Sequence, residues 1–193
     1  MFKLLVLSFL SATLTFGIFA KSGPTIRKEM RGKTEYMYID GIKVHETDSE
    51  KQPQPPVVKP KPYNAKAAKP PKGAVVLFDG TQKTVGNWIS GNGKPTKWKL
   101  VENALESVRG GGYLQSKKEF GSCRLHVEFA TPKVAKGTGQ GRGNSGVFLM
   151  GQYEVQVLDS YNNITYPDGQ CGALYGRAKP LVNASRGPGE WQT

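Results

Sequence analysis

Between residues 123 and 130 apolar and polar side chains alternate one for one. Leu125, Val127 and Phe129 fall on one side; Arg124, His126 and Glu128 fall on the other. Successive strand residues point to opposite faces, so this stretch predicts a half-buried strand. Short apolar runs bounded by turn residues recur from Ala74 onward. Ala74–Phe78 ends at Asp79-Gly80. Lys97–Val101 and Ala104–Val108 flank Glu102-Asn103, as a hairpin would. Trp88-Ile89 is a further apolar point, and the pattern starts again at Tyr113-Leu114 after the break at Gly110–Gly112. Val147–Met150 and Tyr153–Leu158 flank Gly151, Gly172–Tyr175 is a short run, and residues 190–193 read as a strand entry. No run carries a convincing helical period, and no internal repeat is evident. The pattern predicts an all-β domain over residues 74–193.

The richest stretch is residues 141–160, GRGNSGVFLMGQYEVQVLDS. Alternation puts Glu154 and Gln156 on one face of a strand and Val155 and Val157 on the other. Asp159 falls on the valine face unless a β-bulge after Gln156 turns it back beside Glu154. With that bulge, a carboxylate, an amide and a second carboxylate line one groove. Without it, the pattern is equally that of a half-exposed strand with solvated ends.

The first 73 residues read differently. Residues 1–20 carry Lys3 and then an apolar or small run from Leu4 to Ala20, the pattern of an export signal cleaved after Ala20. An uncleaved anchor is the alternative. Cleavage leaves no stable membrane span and an exported protein, periplasmic or extracellular. Residues 21–52 are polar, with a hairpin signal at Asp40-Gly41 between Tyr36–Ile39 and Ile42–Val44. His45 at its end reads as solvated. Residues 53–73 are a Pro/Lys-rich segment expected to act as an extended spacer. The chain stops at Thr193 inside what reads as a strand, so a C-terminally incomplete domain is expected.

The formal charge of +12 narrows little. Residues 21–73 hold twelve Lys and Arg against six Asp and Glu, while residues 74–193 hold fourteen against nine. No dense basic run interleaves with aromatics, so nucleic acid is not the expected partner. Two cysteines, Cys123 and Cys171, allow one bridge or two free thiols. With His45 and His126 the only histidines, no metal-ligand spacing is present and no cofactor is expected. Calcium held by loop oxygens stays open.

LFDG at 77–80, WKLVENALES at 98–107, FGSCRLHVEF at 120–129, RGNSGVFLMGQYEVQVLDS at 142–160, GALYG at 172–176 and GEWQT at 189–193 follow one another in order. Together they resemble the 3-keto-disaccharide hydrolase family, over residues 74–193. The form with PLVNAS before GEWQT is similar to exported members from planctomycete-type bacteria. Two departures stand out: Met150 where Arg is common, and Cys171 where Ala is frequent. The resemblance implies a concanavalin-A-like jelly-roll sandwich and action on glycosides oxidised at sugar C3. It also implies an upstream sugar 3-oxidoreductase as partner.

That chemistry needs a base at C2, an acid at the leaving oxygen, and donors to the ketone as it becomes an enolate. Glu154 is the expected acid or base, with Asp159 and His126 as further catalytic candidates. Gln156, Glu128, Arg142, Asn144 and Tyr175 are the candidate substrate-binding residues. The bland alternatives are a surface pair for His126 and Glu128, a solvated charge for Arg142, a turn for Asn144 and core for Tyr175. Trp88, Trp98 and Trp191 read as core rather than sugar platforms. A two-carboxylate glycosidase and a non-catalytic sugar-binding module are the rival readings.

Overall fold

The computed structural model describes residues 2–9, 25–31, 34–39, 42–46, 53–63 and 69–193. The chain is all-β, with one α-helix of a single turn among the described residues. Its described strands form four small sheets, and the chain divides into two compact units.

One unit comprises Pro62–Ala130 and Trp191–Thr193, with Phe2–Phe9. The expected hairpin at Glu102-Asn103 forms, from β6 (Lys99–Val101) and β7 (Ala104–Glu106). Its two turn residues have φ of 48° and 60°, the left-handed pair that matches the strand twist. β5 (Trp88–Ser90) pairs with β8 (Leu114–Ser116). β9 (Cys123–Phe129) runs antiparallel to β1 (Phe2–Phe9), which also touches β7. β1 lies inside the segment that the sequence pattern reads as an export signal. Gln192 exchanges both backbone hydrogen bonds with Phe129 at 2.9 Å.

The core of this unit is Leu77, Phe78, Trp88 and Leu105, with Val75, Trp98, Leu100, Leu114 and Phe120 against it. Burying each large apolar side chain contributes roughly 1.5–3 kcal/mol. The run Ala74–Phe78 is core but not a strand. The Leu77 carbonyl is taken by side-chain donors, Asn87 Nδ2 at 3.0 Å and Trp88 Nε1 at 3.2 Å. Just beyond it, Asp79 Oδ1 collects the Thr81 N–H and the Thr81 and Thr84 hydroxyls. Those bonds set the entry to α1 (Gln82–Val85). They also hold the Asp79 carboxyl down at about 2, with Thr81 the larger cause.

β9 departs from its expected alternation. Burial rises along the strand rather than switching between faces: Leu125 is exposed, while Glu128 and Phe129 are both buried. The polar face closes at its C-terminal end because Tyr63 lies against Glu128. Burial first, then that carboxylate, pushes the Tyr63 hydroxyl up to about 12.

The second unit comprises Thr131–Glu190 with the described residues from Thr25 to Lys61. β2 (Ile26–Arg31), β3 (Thr34–Ile39) and β4 (Ile42–Glu46) make a meander. Ile39 faces Ile42 across Asp40-Gly41, which itself lies outside the described residues. β10 (Ser145–Leu149) and β11 (Tyr153–Val157) form a regular hairpin. Its turn uses positive φ at Met150 (56°) and Gly151 (66°). Residues 172–175 lie along the other edge of β11. Gln156 N–H donates to Ala173 O, Gly172 N–H to Gln156 O and Tyr175 N–H to Glu154 O, each at 2.9 Å. The expected strand at 172–175 is thus a bonded edge held by isolated bridges.

Part of the proposed spacer is not free. Pro55 is buried. Val58 N–H donates to Asn183 O at 3.0 Å, and Asn183 N–H donates to Pro56 O at 2.9 Å. Proline pre-extends this segment, so little order is lost when it docks.

Candidate active site

The second unit gathers six of the candidate residues, and β11 is its spine. Glu154 and Gln156 share one face, as alternation requires. Glu154 is half-buried, and its carboxylate lies over Gly146 of β10. A Cβ at Gly146 would stand 2.7 Å from Glu154 Cδ and 2.8 Å from Cγ. Glycine is present here for space, since its φ is not in the left-handed region. Burial pushes the Glu154 carboxyl up from its ordinary value.

Beside it stands a phenol pair. The backbone bond from Tyr175 to the Glu154 carbonyl fixes Tyr175 next to β11. The Tyr175 hydroxyl is hydrogen-bonded to that of Tyr166, with the rings edge-on at 6.0 Å between centroids. Tyr166 precedes a 3-10 turn, Pro167–Gly169, whose Asp168 is buried. Burial first, then Tyr175 and the charges of Asp168 and Glu154, push the Tyr166 hydroxyl up beyond the usual phenol range. It therefore stays protonated wherever Glu154 titrates.

Gln156 is not a groove residue. It is 1% exposed, because residues 139–144 fold over it. Its Nε2 donates to Gln140 Oε1 at 2.8 Å. Gln140 is a hub: its Nε2 donates to Thr165 Oγ1 at 3.1 Å and to Gly169 O at 2.9 Å. Asn144 Nδ2 donates to the Gln140 backbone O at 3.0 Å and to its Oε1 at 3.2 Å. Gln156 and Asn144 are thus struts that tie β11 to the loop carrying Tyr166. The valine face is not uniformly core either. Val157 is buried, but Val155, near the exposed hairpin turn, is 38% exposed.

Asp159 does not join Glu154. β10 and β11 pair residue for residue from Ser145↔Val157 to Leu149↔Tyr153, so no bulge occurs through Val157, and the pairing ends before Asp159. Asp159 is 2% exposed and receives Arg142 NH2 at 2.9 Å. The same guanidinium also donates to Tyr161 O. Gly143 (φ 57°) makes room, because a Cβ there would lie 2.9 Å from the Asp159 Cβ. Arg142 is therefore the counter-ion of a buried carboxylate, not a solvated charge.

His126 and Glu128 belong to the first unit. His126 Nε2 is 3.3 Å from Glu128 Oε1. Cys123 and Cys171 are both free, and burial pushes the Cys171 thiol up. Among the described residues, no group of three or more His, Cys, Asp or Glu is placed to hold a metal ion.

Residues 73–193 match the 3-keto-alpha-glucoside-1,2-lyase-like domain. The chain belongs to this family. A crystal structure of a candidate glycosyl hydrolase from Parabacteroides distasonis ATCC 8503 is similar, with 42% sequence identity and a TM-score of 0.63. The match covers 72% of this chain and spans 59% of that one. No curated protein matches. Within the lyase-like domain, the sequence reading missed Gln140, Tyr166, Asp168 and Gln170. Tyr-Pro-Asp-Gly at 166–169 reads as a bare turn, and its only signal was a tyrosine fixed immediately before it. Gln140 sits in a glycine-rich loop that gives no periodic cue.

Proposed function

We propose that the protein cleaves 3-keto glycosides, with Glu154 as the base that takes the proton from sugar C2. The observation that carries this reading is the half-buried Glu154 carboxylate seated over Gly146, beside the hydroxyl-bonded Tyr166–Tyr175 pair. A carboxyl raised by burial is a better base once ionised, and a phenol that keeps its proton is a donor. A ketone at C3 acidifies the C2 proton. Glu154 removes it, and the electron pair passes into the enolate at O3, to which Tyr166 donates. The C1–O bond then breaks with its electrons on the leaving oxygen, which takes a proton delivered through Tyr175. Water adds across the resulting enone, oxygen at C1 and proton at C2, giving the free 3-keto sugar. In this reading Asp159 is a positioning group held by Arg142, so Asp159 does not serve as the second carboxylate of a two-carboxylate glycosidase. The ketone is supplied by a sugar 3-oxidoreductase, and the apolar run after Lys3 in residues 1–20 supports a reaction outside the cytoplasm.

The test is incubation of the full chain with a 3-keto-disaccharide and with its unoxidised parent. Cleavage of the keto form alone is expected, with deuterium entering C2 from heavy water. Cleavage of the parent, or binding without cleavage of either, refutes the proposal. Glu154→Gln is expected to lower turnover by at least ~10²–10⁴-fold.

A further inference from the structure

The docked segment from Pro53 to Lys61 lies outside the matched residues 73–193, yet one of its side chains is bonded to the loop that carries Tyr166. Gln54 Nε2 donates to Thr165 O at 2.7 Å, and Gln54 Oε1 accepts from Gln170 Nε2 at 3.0 Å. Thr165 precedes Tyr166, and its hydroxyl accepts from the Gln140 hub. Gln170 is 2% exposed, and its Oε1 has no hydrogen-bond partner among the described residues. The arm's own docking is secured elsewhere: by the Asn183 backbone bonds, by Lys179 Nζ on Pro53 O at 2.8 Å and by Arg186 on Lys61 O. Asn183 is itself anchored through Nδ2 to Ser160 O at 3.0 Å.

Gln54 is exposed although its carboxamide is bonded at both ends. A carboxamide has two N–H donors and two lone pairs. One of each is used, so one donor and one acceptor remain, held at fixed orientation on the residue next to Tyr166. Such a pair matches the adjacent hydroxyls of a sugar ring, and its ordering cost has been met before any ligand arrives. We propose that Gln54 is a substrate-binding residue, contributed to the lyase-like site from outside the domain, that grips neighbouring hydroxyls of the glycoside. This rests on the reading of the Glu154 face as the sugar site.

The test uses the full-length chain with Glu154→Gln, to bind without turnover, titrated calorimetrically with a 3-keto-disaccharide and with its parent. Adding Gln54→Met keeps the size and removes both hydrogen-bonding ends; Gln54→Ala is the second variant. Loss of two sugar hydrogen bonds at about 0.5–1.5 kcal/mol each predicts a Kd weaker by roughly 5- to 150-fold. The thermal midpoint should stay within a few degrees. An unchanged Kd overturns the proposal. A tighter Kd also overturns it and makes the arm a blocking strap. A loss of affinity accompanied by a large drop in thermal midpoint makes Gln54 structural. If the Glu154→Gln chain binds neither sugar, both readings fall. If the wild-type chain cleaves the keto sugar and Gln54 has no effect, this inference alone is lost.

Discussion

Arg142→Met should destabilise the domain far more than the loss of an ordinary loop arginine. The Asp159 side chain is 1% exposed and that of Arg142 15%, with 2.9 Å between NH2 and Oδ1. Two unit charges about 4 Å apart at an effective dielectric of 20 attract by about 4 kcal/mol. Removing one partner leaves the other desolvated and unpaired, which costs about 3–5 kcal/mol. Tyr161 N–H, at 3.3 Å from Asp159 Oδ1, offsets little of that. Tyr161 O also loses its donor. Total stabilities run to about 5–15 kcal/mol, so the variant should sit near its limit. Urea unfolding followed by tryptophan fluorescence reads this directly. With m of about 1–3 kcal/mol/M, the midpoint should fall by at least ~1 M. Arg142→Met with Asp159→Asn should recover much of the loss, because no charge is then stranded. A single variant within about 1 kcal/mol of wild type, or a double variant no better than the single, would refute the argument that this pair is buried and coupled.

Gly146→Ala should evict the Glu154 carboxylate, since the new methyl would stand within 3 Å of it; kcat should drop by about 10²-fold, with the fold retained by circular dichroism. The pH profile of kcat/KM should have its acid limb centred above the ordinary Glu range, because burial raises Glu154 and only its ionised form is a base. Its folded value lies above its unfolded one, so its stabilising share is full below the unfolded value and fades as pH rises through the folded one; Glu154→Gln should therefore raise the thermal midpoint at neutral pH. An acid limb at the ordinary value, or a lowered midpoint, contradicts the buried placement. With a thiol reagent, exposed Cys123 should react fast and Cys171 slowly; equal rates would count against the packing around Cys171.

The all-β class was legible because short apolar runs and paired turn residues encode strands locally. Glu102-Asn103 shows this best, where two turn positions alone set a hairpin. That Ala74–Phe78 would pack as core without forming a strand was not legible, because its carbonyl partners are the Asn87 and Trp88 side chains, a tertiary matter. Glu154 could be singled out from its alternation and its neighbours. Asp159 could not be placed, since alternation alone does not say whether a strand carries a bulge. The arm at 53–61 misled for a related reason. Proline and lysine describe a segment that needs no partner, and composition is silent on whether a partner exists.

The scaffold around Glu154 is built from Gln140, Asn144 and Gln156, side chains that neither gain nor lose protons in water. Between mild acid and mild alkali, the frame that aims the base thus keeps its bonding pattern while the base alone changes charge. A gradual response to acidity, reversible and without hysteresis, is the behaviour such a neutral frame confers.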